Sequence, residues 1–208
     1  MGNREDLIDG AKRCLYSKGY ARTTLRDIAD AAGGVGAGCV GYHFGSKEAL
    51  LNEALSQAAR DWAEELTQAL AAVPVDPGAD SLQRFETAWA QIIKSFETHR
   101  PLWAATFDAL GQSAHAEEVR RHLAAGLEQV RLGLADVLGG LGPDHPDAWL
   151  VGGFYEALLT GVMAQYLVDP GRAPSSHDLA TALAVITAPR PTARPPMSVR
   201  DVPEERPS

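Results

Sequence analysis

With 208 residues the chain is long enough to bury a sizeable core, and its formal net charge of −8 excludes a surface that grips nucleic acid everywhere. No apolar run approaches the roughly eighteen residues of a membrane span, and the charged start MGNREDLID has no apolar core, so neither a span nor a signal peptide is expected. Cys14 and Cys39 fall in different predicted helices without metal-ligand spacing, which fits a reducing cytoplasm.

Leu7, Ile8, Ala11, Leu15 and Tyr16 pattern a first helix, closed by Gly19-Tyr20. Thr24 is the expected N-cap of a second helix carrying Leu25, Ile28, Ala29 and Ala32, which Gly33-Gly34 ends. Val35 plugs the turn. Gly36 to Phe44 then reads as another short helix, with Val40 and Phe44 on one face and Gly36 as a tolerable cap. Gly38 and Gly41 inside it cost about 0.5–1 kcal/mol each relative to alanine. Two short helices joined by a glycine turn form a helix-turn-helix, whose second helix enters the DNA major groove.

Ser46 caps a long helix to about Ala72, striped with Leu50, Leu51, Leu55, Ala58, Trp62, Leu66 and Leu70. Asp80-Ser81 opens the next, bearing Leu82, Phe85, Trp89, Ile92, Ile93 and Phe96. Pro101 starts another with Leu102, Trp103, Phe107 and Leu110, and a further helix runs from about Ala114 to Leu138. The break GGLGPDHP leads into a strongly apolar helix from Asp147 to Val168, and a last helix spans roughly His177 to Ala188. The segment from Pro189 to Ser208 holds six prolines and mixed charges and is expected to be disordered. Nothing alternates as a strand would. The expected class is all-α.

The stretch TTLRDIADAAGGVGAGCVGYHFGSKEALL, with the helix before it, resembles the DNA-binding module of the TetR family of bacterial regulators. The resemblance covers residues 5 to 55, with one more glycine in the turn than the family's usual spacing. It implies an N-terminal three-helix DNA-binding domain over 1–52, a helical effector-binding and dimerisation domain over 53–188, and the Pro-rich tail 189–208. It also implies a homodimer paired through 147–168 and 177–188, which binds double-stranded palindromic operator DNA. A small-molecule effector bound in the second domain would release it, with repression the expected sign. Burial of those helices within one subunit is the alternative to dimerisation.

Charge distribution is compatible with DNA held at one end: residues 1–52 net +1, leaving −9 on the remainder. Lys47 and the hydroxyls of Thr23, Thr24 and Tyr42 suit phosphate contacts, which position without reading sequence. The exposed recognition-helix residues Gly36, Ala37, Cys39, Tyr42 and His43 are the candidates for base reading. Ala37 and Cys39 suit thymine methyls, His43 donates or accepts, and Arg26 is within reach of a guanine edge or a phosphate. In the second domain Trp89, Phe96, Trp103, Phe107, Phe154, Met163 and Tyr166 are the candidate effector-pocket residues, with an apolar or aromatic ligand expected; plain core is the alternative for each.

Enzymatic readings find little support. The six histidines are scattered without a metal-ligand pair, and neither a nucleophile elbow nor a phosphate loop occurs. No catalytic residue, metal or cofactor is expected. The runner-up function is a helical ligand-binding or adaptor protein that no longer binds DNA specifically, suggested by the glycine-rich recognition helix.

Overall fold

The computed structural model describes residues 4–36, 38–74, 78–114 and 116–189. The described residues are helical in the order α1 Arg4–Lys18, α2 Leu25–Ala31, α3 Gly38–Phe44, α4 Lys47–Ala71, α5 Ser81–Thr98, α6 Arg100–Gln112, α7 Glu117–Gly139, α8 Ala148–Val168 and α9 Ser176–Thr187. The disorder expected of the Pro-rich tail concerns residues that, from 190 onward, lie outside the described ones.

Helices α1 to α3 build the head on local signals. Leu7, Ile8, Ala11, Cys14 and Leu15 bury one face of α1. Gly10 lets α2 approach closely, since a Cβ there would come 3.0 Å from the Ile28 carbonyl oxygen and the Ala32 nitrogen. Thr24 and Asp27 form a reciprocal capping box that starts α2. Gly33 and Gly34 both take positive φ, +83° and +82°, so the additional glycine is used by the backbone. The amide of Gly34 donates to the Ala29 carbonyl at 3.0 Å and closes the helix end.

Two expected boundaries move. The recognition helix is described from Gly38, not Gly36; the Cys39 amide reaches the Gly36 carbonyl at 2.9 Å, and Ala37 between them lies outside the described residues. α7 begins at Glu117, not near Ala114; its N-cap Ala116 is extended and makes no side-chain cap hydrogen bond.

The Ser46 hydroxyl accepts the Ala49 amide at 2.9 Å and opens α4, which passes from head to body. The expected 52/53 division therefore falls inside one helix. Buried residues from Leu7 to Ala180 join in a single hydrophobic cluster across it. Capping boxes at Asp80–Gln83 and Ser175–Asp178 start α5 and α9, and Pro101 sits in the first turn of α6. Helix stripes from the sequence hold with exceptions: Tyr16, Leu25 and Leu110 are exposed. α8 packs on α7, and its other side is uncovered, with Leu150 69% exposed and Phe154 about half exposed. Val185 and Ile186 of α9 are exposed as well, Ile186 by 79%. Among the described residues no helix is long and apolar enough to cross a membrane.

Candidate nucleic-acid interface

α3 is held from behind and left open in front. Val40 is buried, and Cys39 and the half-buried Phe44 pack against the same core. The Arg4 guanidinium lies 5.1 Å over the Phe44 ring, a cation–π contact that no sequence spacing announces. On the outer side Tyr42 is 83% exposed and His43 is also exposed, their rings 4.9 Å apart and edge-on. An exposed tyrosine beside an imidazole offers a hydroxyl, a ring face and two ring nitrogens to a ligand in front of the helix. Gly38 and Gly41 are exposed with open space where a side chain would go. Arg26 projects from α2 and is exposed. Gly36 lies exposed just before α3, and Ala37 lies outside the described residues.

Several expected contacts are placed differently. Thr23 is 1% exposed and its hydroxyl donates to the Gly19 carbonyl at 2.7 Å, which removes it from the surface as a phosphate ligand. The Thr24 hydroxyl donates to Asp27 Oδ2 at 2.7 Å and accepts the Asp27 amide, so it is occupied by the cap. Cys39 is half-buried against the core and so less of a base reader than expected. Lys47 Nζ donates to the Thr23 carbonyl at 3.0 Å and lies 3.4 Å from Glu48 Oε1. An ammonium carries three N–H groups, so these two partners leave one for another acceptor.

Electrostatic ties stiffen the same end. Lys18 Nζ pairs with Asp27 Oδ1 at 2.5 Å. That hydrogen bond, then those from Thr24, hold the Asp27 carboxyl well below the usual carboxylate range. Arg13 donates to the carbonyl of Ala31. The buried Tyr20 hydroxyl donates to the equally buried Asn52 Oδ1 at 2.7 Å, and burial, followed by nearby Glu48 and Glu118, pushes its pKa upward.

Beside the ion pairs of Lys12 with Asp61 and of Arg4 with Glu53 of α4, two ties between the head and helices α6 and α7 were not visible in the sequence. Asp108 Oδ2 on α6 accepts the Ala21 amide at 3.0 Å, beside Gly19, whose φ is +81°. The Ser46 hydroxyl donates to Glu118 Oε1 of α7 at 3.3 Å. Each joins residues far apart in the chain, for which periodicity carries no signal. A cleft of about 490 Å³ lies between α1 and α6, with Tyr16, Arg22, Pro101 and Asp108 in its wall.

The candidate effector residues divide. Trp89, Phe96, Trp103 and Met163 are buried, and Phe107 and Tyr166 are half-buried. Phe96 lies 6.3 Å from Trp103 and 5.5 Å from Tyr166, ring centre to ring centre, and Trp62 stands edge-on to Trp103 at 4.7 Å. Phe154 does not join them; it is half exposed on the outside of α8, because that residue points away from the face packed on the body. Neither the cleft beside Asp108 nor a second one lined by Gln83, Glu86 and Ser176 is lined by any of these residues. The rings fill their own space. Among the described residues no group of histidine, cysteine and carboxylate side chains gathers as a metal site.

Comparisons with known proteins meet on the head. Residues 7–54 match the family described as bacterial regulatory proteins, tetR family. The transcriptional repressor KstR2 of Rhodococcus jostii is 44% identical over 54 residues, 26% of either chain. The transcriptional regulator TtgR of Pseudomonas putida is 44% identical over 52 residues, 25% of this chain and 24% of its own. The match thus spans about a quarter of these relatives' length. Over the whole fold, SCO7518 of Streptomyces coelicolor A3(2), described as a transcriptional regulator, superposes with a TM-score of 0.66 at 22% identity, covering 89% of this chain and 98% of its own. The multidrug binding protein EbrR, solved with imidazole, gives 0.62 at 24% identity, covering 91% and 97%. At that identity the likeness is one of fold.

Proposed function

From the premise that its head makes this chain a member of the TetR family of bacterial regulatory proteins, we propose that it is a homodimeric repressor that binds operator DNA and is released by a small apolar effector. The observation that carries this reading is the two-sided α3, with Val40 locked behind and Tyr42 and His43 presented in front. Such a helix suits the major groove, with Arg26, Lys47 and the Tyr42 hydroxyl directed to backbone or base edges.

The division of labour follows the chain: 1–52 for DNA, 53–188 for effector and dimer, with α4 as the rigid element common to both. The uncovered apolar side of α8 with Leu150 and Phe154, beside Val185 and Ile186 on α9, supports pairing of two copies through α8 and α9. A two-fold dimer sets two heads one or more helical turns of DNA apart, which asks for a palindromic operator. The buried aromatic set of α5, α6 and α8 is the effector site, closed here by its own rings. Binding there releases DNA only to the extent that the effector prefers the arrangement of heads that does not fit the operator. The likeness of fold to EbrR, a multidrug binding protein, supports this by analogy. A regulator that acts on operator DNA works in the cytoplasm, where that DNA is.

Fluorescence anisotropy on duplexes from the region upstream of the chain's own gene, over a salt series, tests the reading. Tight binding to one fragment that weakens steeply with salt is expected. Weak and equal binding to every fragment, with no site recovered by genomic selection, favours the adaptor. Light scattering tests the dimer, and a monomer at micromolar concentration removes it.

A further inference from the structure

Two indole donors in the body have nothing to donate to; a third buried atom without a hydrogen-bond partner, Arg131 Nε of α7, belongs to a guanidinium already paired with Glu156. The indole Nε1 atoms of Trp89 and Trp103 are buried and without a partner, while the third tryptophan of the same region, Trp62, donates to Ser95 Oγ at 2.9 Å. A buried donor left unpaired carries its full desolvation penalty, so such groups in native structures mark a place where an acceptor belongs. Both indoles belong to the aromatic set assigned above to the effector. The surroundings also restrict charge. Among the described residues the buried oxygen- or nitrogen-bearing side chains other than tryptophan are Tyr20, Thr23 and Asn52, all at the head end; in the body the partly buried Arg131 guanidinium is already paired with Glu156, so no unpaired buried carboxylate or cation waits there for a counter-charge.

We propose that the effector is a neutral, predominantly apolar molecule bearing hydrogen-bond acceptors, such as ketone, ester or ether oxygens, that take the Trp89 and Trp103 indole N–H groups. The inference rests on the effector-responsive reading above and narrows its ligand class. Trp89 and Phe96 lie two helical turns apart on α5, about 10 Å along the axis, and Phe96 meets Trp103. One occupant that satisfies both donors presents a separate acceptor to each. It enters by displacing side chains, since the rings presently pack on one another. Anionic and cationic ligands are disfavoured, because their charge would be stripped of water and left unpaired.

The test uses the full-length chain with 15N-labelled tryptophan, whose four indole N–H signals are assigned with Trp→Phe variants. Four probes of one size are titrated: acetophenone (neutral with an acceptor), ethylbenzene (neutral without one), benzoate and benzylamine. Acetophenone, with its single acceptor, should move the Trp89 or the Trp103 signal downfield and bind roughly tenfold more tightly than ethylbenzene, as one additional satisfied buried donor implies. That advantage should shrink in the Phe variant of whichever tryptophan responds. If either variant fails to fold, the shifts in the native chain decide, with the remaining signals assigned by the other variants. Equal binding of ethylbenzene, stronger binding of either charged probe, or no response of either indole overturns the proposal. So does a Trp103 signal already displaced upfield in the probe-free chain, which would show the face of Trp62 serving as its acceptor. The indole titration needs no DNA, so its failure is separable from failure of operator binding. Acetophenone that engages either indole without releasing a bound operator would leave the ligand class standing and remove the release step.

Discussion

Gly152 in α8 lies against the backbone of Arg131 in α7, so closely that a Cβ on the glycine would stand 2.0 Å from the arginine's carbonyl oxygen. The two helices approach as nearly as helix backbones can. Above this contact the Arg131 guanidinium rests 4.7 Å over the Trp149 ring and 3.6 Å from Glu156 Oε2, so one residue of α7 is engaged by three of α8. Because the obstacle is backbone and not a side-chain tip, Gly152→Ala must push the helices apart. A cost of about 1–3 kcal/mol is expected from overpacking, which for a chain of this size lowers Tm by roughly 2–4 °C per kcal/mol. Gly153→Ala, where nothing lies within 4 Å, should leave Tm nearly unchanged. Thermal unfolding of the pair checks it, and equal melting of the two variants would show that the helices do not cross this way.

The two sides of α3 should separate stability from DNA affinity. Val40→Ala opens the core beneath the helix and is expected to lower stability by on the order of 2 kcal/mol. Tyr42→Ala removes an exposed side chain, so Tm should hold while affinity falls for all duplexes alike, as loss of a phosphate contact implies. A Tyr42→Ala chain that melts early, or one that binds DNA as before, counts against the assignment. Anisotropy and calorimetry on the same preparations give both answers.

Which parts were legible in the sequence follows from what makes each part. The caps at Thr24, Ser46 and Asp80 and the buried stripe from Leu50 to Leu66 were readable because they are local: a hydroxyl or carboxylate before an apolar period specifies its own helix. The start of α3 was misplaced because a run of glycines at 33, 34 and 36 gives the turn several equivalent endings, and only the tertiary position of Val40 selects one. Thr23 was misassigned for a related reason. A surface threonine and a buried one have the same sequence signature, and its burial depends on the Gly19 carbonyl four residues back. Phe154 was grouped with the inner aromatics because α8 is apolar nearly all round, so periodicity carries no direction there. Asp108 was invisible, since its partner is a backbone amide in the distant turn between α1 and α2.

Tyr20 and Asn52 form a buried pair in which each depends on the other. Tyr20→Phe would strand the Asn52 amide oxygen at a cost of about 1–3 kcal/mol. Replacing both, as Tyr20→Phe with Asn52→Leu, should recover most of that loss, because two apolar groups need no partner. Denaturant unfolding of the single and double variants measures the coupling. Additive losses would show that the hydrogen bond contributes nothing.

Asp27 should shape the acid limb of stability. Its folded-state pKa is depressed, first by the Lys18 hydrogen bond and then by Thr24. A depressed carboxylate contributes stability above its unfolded value, near 3.9, and surrenders it as pH falls through the lower folded value. Asp27→Asn keeps an acceptor for the Thr24 amide and removes the charge. Its stability should therefore be below wild type at neutral pH and fall less steeply between about pH 5 and pH 2. Parallel acid limbs for the two chains would show that Lys18 does not hold the carboxylate in solution.

Asp108 ties the head to the body through the Ala21 amide, next to a glycine held at positive φ. The carboxylate would stand 2.8 Å from a Cβ on Gly19, so the same contact that aligns the head also requires glycine at that position. Asp108→Ala leaves the amide without its acceptor and frees α6 to shift against the end of α1. Asp108→Asn keeps an acceptor oxygen and should keep most of the alignment. If the orientation of the head is what the body controls, operator affinity should fall about tenfold in Asp108→Ala, the scale of one charge-assisted hydrogen bond, and much less in Asp108→Asn. Thermal unfolding should change little in either, because the site is at the edge of the core. Amide exchange at residues 19–25 gives the independent readout: faster exchange in Asp108→Ala with slow exchange retained in Asp108→Asn assigns the loss to this tie. Equal operator affinity and equal exchange in all three chains would place control of the head elsewhere, with the Ser46–Glu118 contact the next to vary.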